Sequence, residues 1–115
     1  MICDIAYSPD DITDLLDDYP SLAAGKLPRR FKESAKQSHK RLEVGGFEFA
    51  LDIKADIDNA VQSLGEPGHS LVLLWKCERE PYWDVVKQLR LERKRPQAVY
   101  AQSVFMMALF LGWKE

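Results

Sequence analysis

Leu71-Val72-Leu73-Leu74-Trp75 is the stretch on which the fold turns. Five consecutive apolar residues suit a strand buried on both faces. They equally suit a helix that buries Leu71, Leu74 and Trp75 together. Gly65-Glu66-Pro67-Gly68 makes a turn just before the run, Ser70 can cap a helix there, and Pro81 limits it. Residues 47–64 carry the same ambiguity. Phe47, Phe49, Leu51 and Ile53 alternate like a short strand. Phe47, Ala50, Leu51, Ile57, Ala60, Val61 and Leu64 recur at three and four, and that helical pattern lasts longer. The expectation is a mostly α fold, a small helical domain. The alternative is α+β, with short strands near residues 47–53 and 71–77.

On the C-terminal side, Pro81-Tyr82-Trp83-Asp84-Val85-Val86-Lys87-Gln88-Leu89 reads as a short helix with Tyr82, Val85, Val86 and Leu89 on one face. Residues 90–95 form a basic connector. Pro96 opens a last helix to about Leu111, and Gly112 stops it. Residues 104–111 are apolar all round, which calls for burial on most sides, in the core or in an oligomer interface.

On the N-terminal side, Ser8-Pro9-Asp10-Asp11 carries an N-cap, a first-turn proline and first-turn acids. Ile12, Leu15 and Leu16 give that helix an apolar stripe, and Tyr19-Pro20 is expected to end it. Residues 21–27 read as a linker. Residues 28–44 read as a weakly anchored helix, with Phe31, Ala35 and Leu42 apolar. Arg29, Arg30, Lys32, Lys36, Lys40 and Arg41 make it a secondary basic surface. The chain is thus expected to be one domain. Residues 1–25 supply an acidic helix and linker, 26–44 a basic helix, and 46–115 the helical core.

With 115 residues and a 46% hydrophobic share, one core is affordable and a second domain is not. No stretch is apolar for long enough to cross a membrane, and the start has no basic-then-apolar leader, so a cytoplasmic location is expected. Cys3 and Cys77 read as reduced thiols. A zinc site from Cys3, His39, His69 and Cys77 lacks the closely spaced pairs such sites use, so no metal or cofactor is expected. Enzyme chemistry is not expected either. His39 lies in a basic segment and His69 in a turn. Glu48, Asp52 and Asp56, at helical spacing, read as a solvated face. Gly45-Gly46 is only a break, with no phosphate loop around it.

The net charge of −2 selects no partner, but its distribution is blocked. Residues 1–18 carry six Asp and no base, and residues 26–41 carry seven Lys/Arg and one acid. Residues 42–68 are acidic again, and residues 69–115 carry eight bases and five acids.

Two short helices, a basic turn and a longer helix come in the order of a helix-turn-helix reader. Lys87, Arg90, Arg93, Lys94 and Arg95 would neutralise phosphates. Gln97 and Tyr100 would sit on the early exposed turns of the last helix, where Gln can bond bidentately to adenine. The pattern over residues 57–100 resembles region four of bacterial sigma factors and the phage late-gene regulators of the ArpU and RinA type. Ala60 and Leu64 end one helix and Gly65-Glu66-Pro67 makes the turn. Leu71, Val72 and Leu74 fill the apolar positions, with Tyr82, Asp84, Val85 and Leu89 following in register. Arg90 stands where that family has Gly, and Glu92-Arg93-Lys94-Arg95-Pro96 replaces its Ser-x-x-Thr-Val. The resemblance implies a small transcription regulator, with DNA or RNA polymerase as partner. The alternative is a protein-interaction module without nucleic-acid binding: an inhibitor, an immunity-type partner or an assembly subunit. Its motivating features are the Asp-rich start, the aromatics Trp75, Tyr82 and Trp83, and the apolar end. Phe105, Met106, Leu109 and Phe110 are the expected interface, and a homodimer through this last helix would suit either reading.

Overall fold

The structure, a computed structural model, describes residues 7–26 and 46–114, with the backbone alone over 46–49. The basic segment with Arg29, Arg30, Lys32, Lys36, Lys40 and Arg41 lies outside the described residues, as do Cys3 and His39. Helix α1 (Pro9–Asp17) begins as its sequence dictates. The Ser8 hydroxyl accepts the Asp11 N–H at 3.2 Å, and the Asp11 carboxylate accepts the Ser8 N–H at 3.0 Å. Two otherwise orphaned donors are satisfied by this reciprocal box. Helix α1 ends at Asp17, just before Tyr19-Pro20 as expected, but a second helix follows where a linker was expected. Pro20 occupies the first turn of a second helix, α2 (Tyr19–Ala23), where its missing N–H costs nothing.

Helix α3 (Gly46–Gln62) follows the three–four spacing, with Ala50, Ile53, Ile57, Ala60 and Val61 buried along it. Helix α4 (Gly68–Val72) continues into a π-helical turn, Leu73–Cys77, closed by the Glu78 N–H on the Leu73 carbonyl at 2.9 Å. Among the described residues there is no strand, so the α+β alternative for 47–53 and 71–77 falls away. Ser70 is not the cap. The helix starts two residues earlier, and the Ser70 hydroxyl donates to the Glu66 carboxylate at 2.7 Å. Helices α5 (Tyr82–Gln88) and α6 (Pro96–Phe110) complete the domain. At the end of α6, Gly112 takes φ 93°, and the Trp113 and Gly112 N–H groups return to the Ala108 and Leu109 carbonyls.

The core has two adjoining parts. In the larger, Ile12, Leu15 and Leu16 of α1 and Leu22 of α2 meet the buried face of α3, together with Val72, Val104, Met107 and Ala108. The acidic N-terminal helix is therefore built into the main core. Burying each such Leu or Ile is worth about 1.5–3 kcal/mol. In the smaller part, Leu71 of α4, Val85 and Val86 of α5, and Leu91 pack together. Tyr100 borders both.

Polar bonds pin the outer helices. Tyr7 donates to Asp56 at 3.0 Å, and both are buried, so the acidic stripe on α3 is not solvated at this position. Tyr19 donates to Asp58 at 2.6 Å, and Lys54 donates to the same carboxylate at 2.7 Å. Lys76 reaches Asp17 at 2.7 Å, and the Arg79 guanidinium donates to the Asp17 carbonyl. These two cations stand at the C-terminal end of α1, where the helix dipole favours them.

Candidate nucleic-acid interface

Residues 89–95 join α5 to α6. At the end of α5, Leu91 N–H returns to the Val86 carbonyl at 2.9 Å and Arg90 N–H to the Lys87 carbonyl at 3.1 Å. Those two bonds make a Schellman closure, which places Arg90 in the left-handed position that usually carries Gly. The Leu91 side chain is buried against Leu71, Val85 and Val86, so the connector is anchored in the core by one residue. Lys94 N–H then bonds to the Leu91 carbonyl at 3.0 Å. Arg95, also left-handed, is the N-cap residue of α6, and its carbonyl accepts the Ala98 and Val99 N–H groups. Pro96 delays the helix start, so this connector is longer than the tight turn expected of a helix-turn-helix unit.

Around that anchored backbone, Lys87, Arg90, Arg93, Lys94 and Arg95 are all exposed, as expected. None forms an ion pair with a described residue, whereas Lys54 and Lys76 are both tied to Asp partners. Among the described residues, Lys54 and Lys76 are thus paired with acids, whereas Lys87 at the end of α5 and the four cations of the connector are not. Glu92, exposed in their midst, is the only acid in the connector.

Gln97 is exposed on the first turn of α6, as the pattern predicts. Ala98, Ala101 and Gln102 share that exposed surface. Sequence reading missed them because two alanines and a glutamine in an apolar helix carry no charge signal. Tyr100 is placed differently from expectation. Its ring packs against Trp75 at 4.9 Å between centroids, and its buried hydroxyl makes no hydrogen bond of good geometry among the described residues, with Thr13 the polar group that acts on it. Burial raises its pKa, with the Asp17 charge adding to the effect. Tyr100 is a packing residue because α6 turns that side toward the π-helical segment.

The aromatics form one chain of rings. Trp75 meets Tyr82 at 4.6 Å, and Tyr82 meets Trp83 at 5.1 Å. Lys76 lies 4.1 Å above the Trp75 ring. Trp75 and Tyr82 are half-buried, but Trp83 is 65% exposed. The apolar end of α6 is divided as well. Val104, Met107, Ala108 and Leu111 are buried, Phe105 packs on Trp113 at 5.6 Å, and Met106, Leu109 and Phe110 face outward.

A separate groove lined by Tyr19, Asp58, His69 and Cys77 gathers groups that can carry chemistry. Burial, with the Asp58 charge adding to it, pushes the Cys77 thiol up to about 11, which leaves it protonated and weakly nucleophilic. Among the described residues no group of three or more His, Cys, Asp or Glu is placed to hold a metal ion. Among the described residues no helix is long and apolar enough to cross a membrane. No family model, no curated protein and no solved structure matches this chain.

Proposed function

We propose that this protein is a small DNA-binding transcription regulator that docks through the α5–α6 connector and the first turns of α6. The observation that carries the reading is the pair Arg90 and Arg95, with φ 57° and 50°. A residue with a Cβ costs about 1–2 kcal/mol in that region, and Gly avoids the cost. Strained backbone of this kind clusters at functional sites. Here it presents two cations beside three others, none of them paired with a described residue.

The chemistry suits a duplex. The five cations neutralise phosphates and set position, which is the larger part of affinity. The N-terminus of α6 adds the positive end of the helix dipole. Gln97 and Gln102 are able to pair with adenine edges, and the Ala98 and Ala101 methyl groups to touch thymine methyls. No catalytic role is assigned. A regulator of this kind works in the cytoplasm, and the resemblance to sigma region four supports a phage-encoded factor acting beside RNA polymerase. The test is titration of the purified chain with random duplex across a salt series. Engagement of all five cations gives a log–log slope of roughly −4 to −5. A flat salt response or no binding at low salt overturns the reading.

The exposed Met106, Leu109 and Phe110 favour a second reading, a protein-interaction module that uses the far end of the same helix.

A further inference from the structure

Trp83 is the most exposed of the large apolar side chains among the described residues, at 65%. It stands on α5, whereas Met106, Leu109 and Phe110 lie on α6. Its ring is nevertheless held. It lies 5.1 Å from the Tyr82 ring, at 72° between planes. Tyr82 packs on Trp75, and Trp75 packs on Tyr100 beside the core. A ring anchored in this way offers a broad apolar surface and has little conformational freedom left to lose on binding.

Charge surrounds the ring. Lys87 follows four residues on, one helical turn along, so the two side chains are neighbours on the outer surface of α5. The chain leaves that helix at Arg90 and continues through Arg93, Lys94 and Arg95. All five cations are exposed, and none is paired with a described residue. Against them, residues 83–95 carry two exposed acids, Asp84 and Glu92. Asp84 lies about 100° round α5 from Trp83 and Lys87 only about 40°, so the indole shares its side of the helix with the cation.

We infer that Trp83 is a stacking platform for an unpaired base, so that this site takes DNA whose strands are locally opened in preference to a closed duplex. The inference rests on the DNA-binding reading and narrows its ligand. Charge selects the occupant, because the partner must bring flat apolar rings and regular negative charge side by side. An apolar protein surface would bury these cations without partners. A closed duplex satisfies the cations, but it covers both faces of every base and leaves the indole against sugar and phosphate. A strand with unpaired bases supplies both needs: the face of a base for Trp83, and phosphates for Lys87, Arg90 and the rest of the connector. Every base has a π-face, so the platform adds a preference for opened DNA without adding one for sequence.

The test titrates the chain at low salt with two DNAs of equal length, one fully paired and one with a short central run of mismatched bases. Their phosphate counts are the same, so a difference in affinity reports the unpaired bases. The wild-type chain should bind the opened DNA about five- to hundred-fold more tightly, the span that one stacked base supplies. Trp83→Ala should lose that difference and keep its affinity for the closed duplex, which also shows that it is folded. Trp83→Leu, apolar but without a π-face, should behave in the same way, and Trp83→Phe should recover part of the preference. Equal affinity of the wild type for the two DNAs overturns the inference and leaves the DNA reading standing. So does a preference that Trp83→Ala and Trp83→Leu retain, or a loss in Trp83→Ala that is equal for both DNAs. Binding to neither DNA by the wild type overturns both.

Discussion

Arg90 and Arg95 stand near the two ends of the α5–α6 connector, and both hold the left-handed backbone that Gly adopts without cost. Stability and binding should therefore pull apart at Arg90. Arg90→Gly is expected to raise the unfolding free energy by about 1 kcal/mol, because the Schellman closure keeps its geometry and loses its Cβ strain. The same change should weaken duplex binding and reduce the salt slope by about 1, since one phosphate contact is lost. Denaturant unfolding and a salt-series titration measure the two effects. A variant that is both less stable and tighter on DNA would contradict the role given to Arg90.

Gly68 and Ser103 provide a test of how α4 seats on α6. Gly68→Ala pushes its new methyl against the Ser103 hydroxyl, which now donates to the Val99 carbonyl at 2.7 Å. Relief requires that hydroxyl to turn away and give up its bond. The expected cost is about 1–3 kcal/mol. Ser103→Ala in the same chain should recover part of it. If the two changes prove additive by thermal or chemical unfolding, the residues do not share the contact.

The buried Tyr100 hydroxyl makes no hydrogen bond of good geometry among the described residues. Leaving a polar group unsatisfied in the interior costs about 1–3 kcal/mol, so Tyr100→Phe should leave stability unchanged or increase it by an amount of that order. DNA binding should be unaffected, because the ring lies against Trp75 and the phenol is turned away from solvent. A large loss of stability would mean that the hydroxyl is bonded after all.

Alkaline pH should weaken the fold. Burial raises the pKa of the Cys77 thiol to about 11 from an ordinary value of 9.0, and raises those of Tyr19 and Tyr100 as well. For Tyr19 the hydrogen bond to Asp58 adds to burial. Each group is neutral in the fold and ionises more easily in the unfolded chain. Their contribution is thus complete below about pH 9 and is lost as pH rises through 11, first at Cys77. Unfolding midpoints measured between these limits should fall steadily. In a Cys3→Ser background, alkylation of Cys77 near pH 8 should run roughly a hundred-fold slower than in the unfolded chain.

Where local chemistry decides structure, the sequence was enough. Ser8-Pro9-Asp10-Asp11 specified the start of α1, Pro96 and Gly112 bounded α6, and the three–four spacing of residues 50–61 outweighed the short alternation around Phe49. Pro20 marked the end of α1 but hid the start of α2, because proline opens a helix as readily as it ends one. The run at 71–75 could not be settled locally, since its apolar residues face two parts of the core at once. The cations of the site were legible as composition. Their lack of partners was not, because Lys76 and Arg79 look the same in sequence yet are held by Asp17. Nor could an apolar α6 reveal which side is solvent-facing, and that is why Tyr100 was misplaced and Ala98, Ala101 and Gln102 were overlooked.

The most direct test of DNA binding compares the wild-type chain with an Arg93→Ala/Lys94→Ala/Arg95→Ala variant on random duplex at low and moderate salt. The wild type should bind with a steep salt dependence. The variant, which keeps Leu91 and the helix ends, should remain folded and lose roughly 2.7 units of the log–log slope, about 0.9 for each cation removed. Equal binding by both proteins, or binding by neither, would contradict the assignment of this connector to DNA.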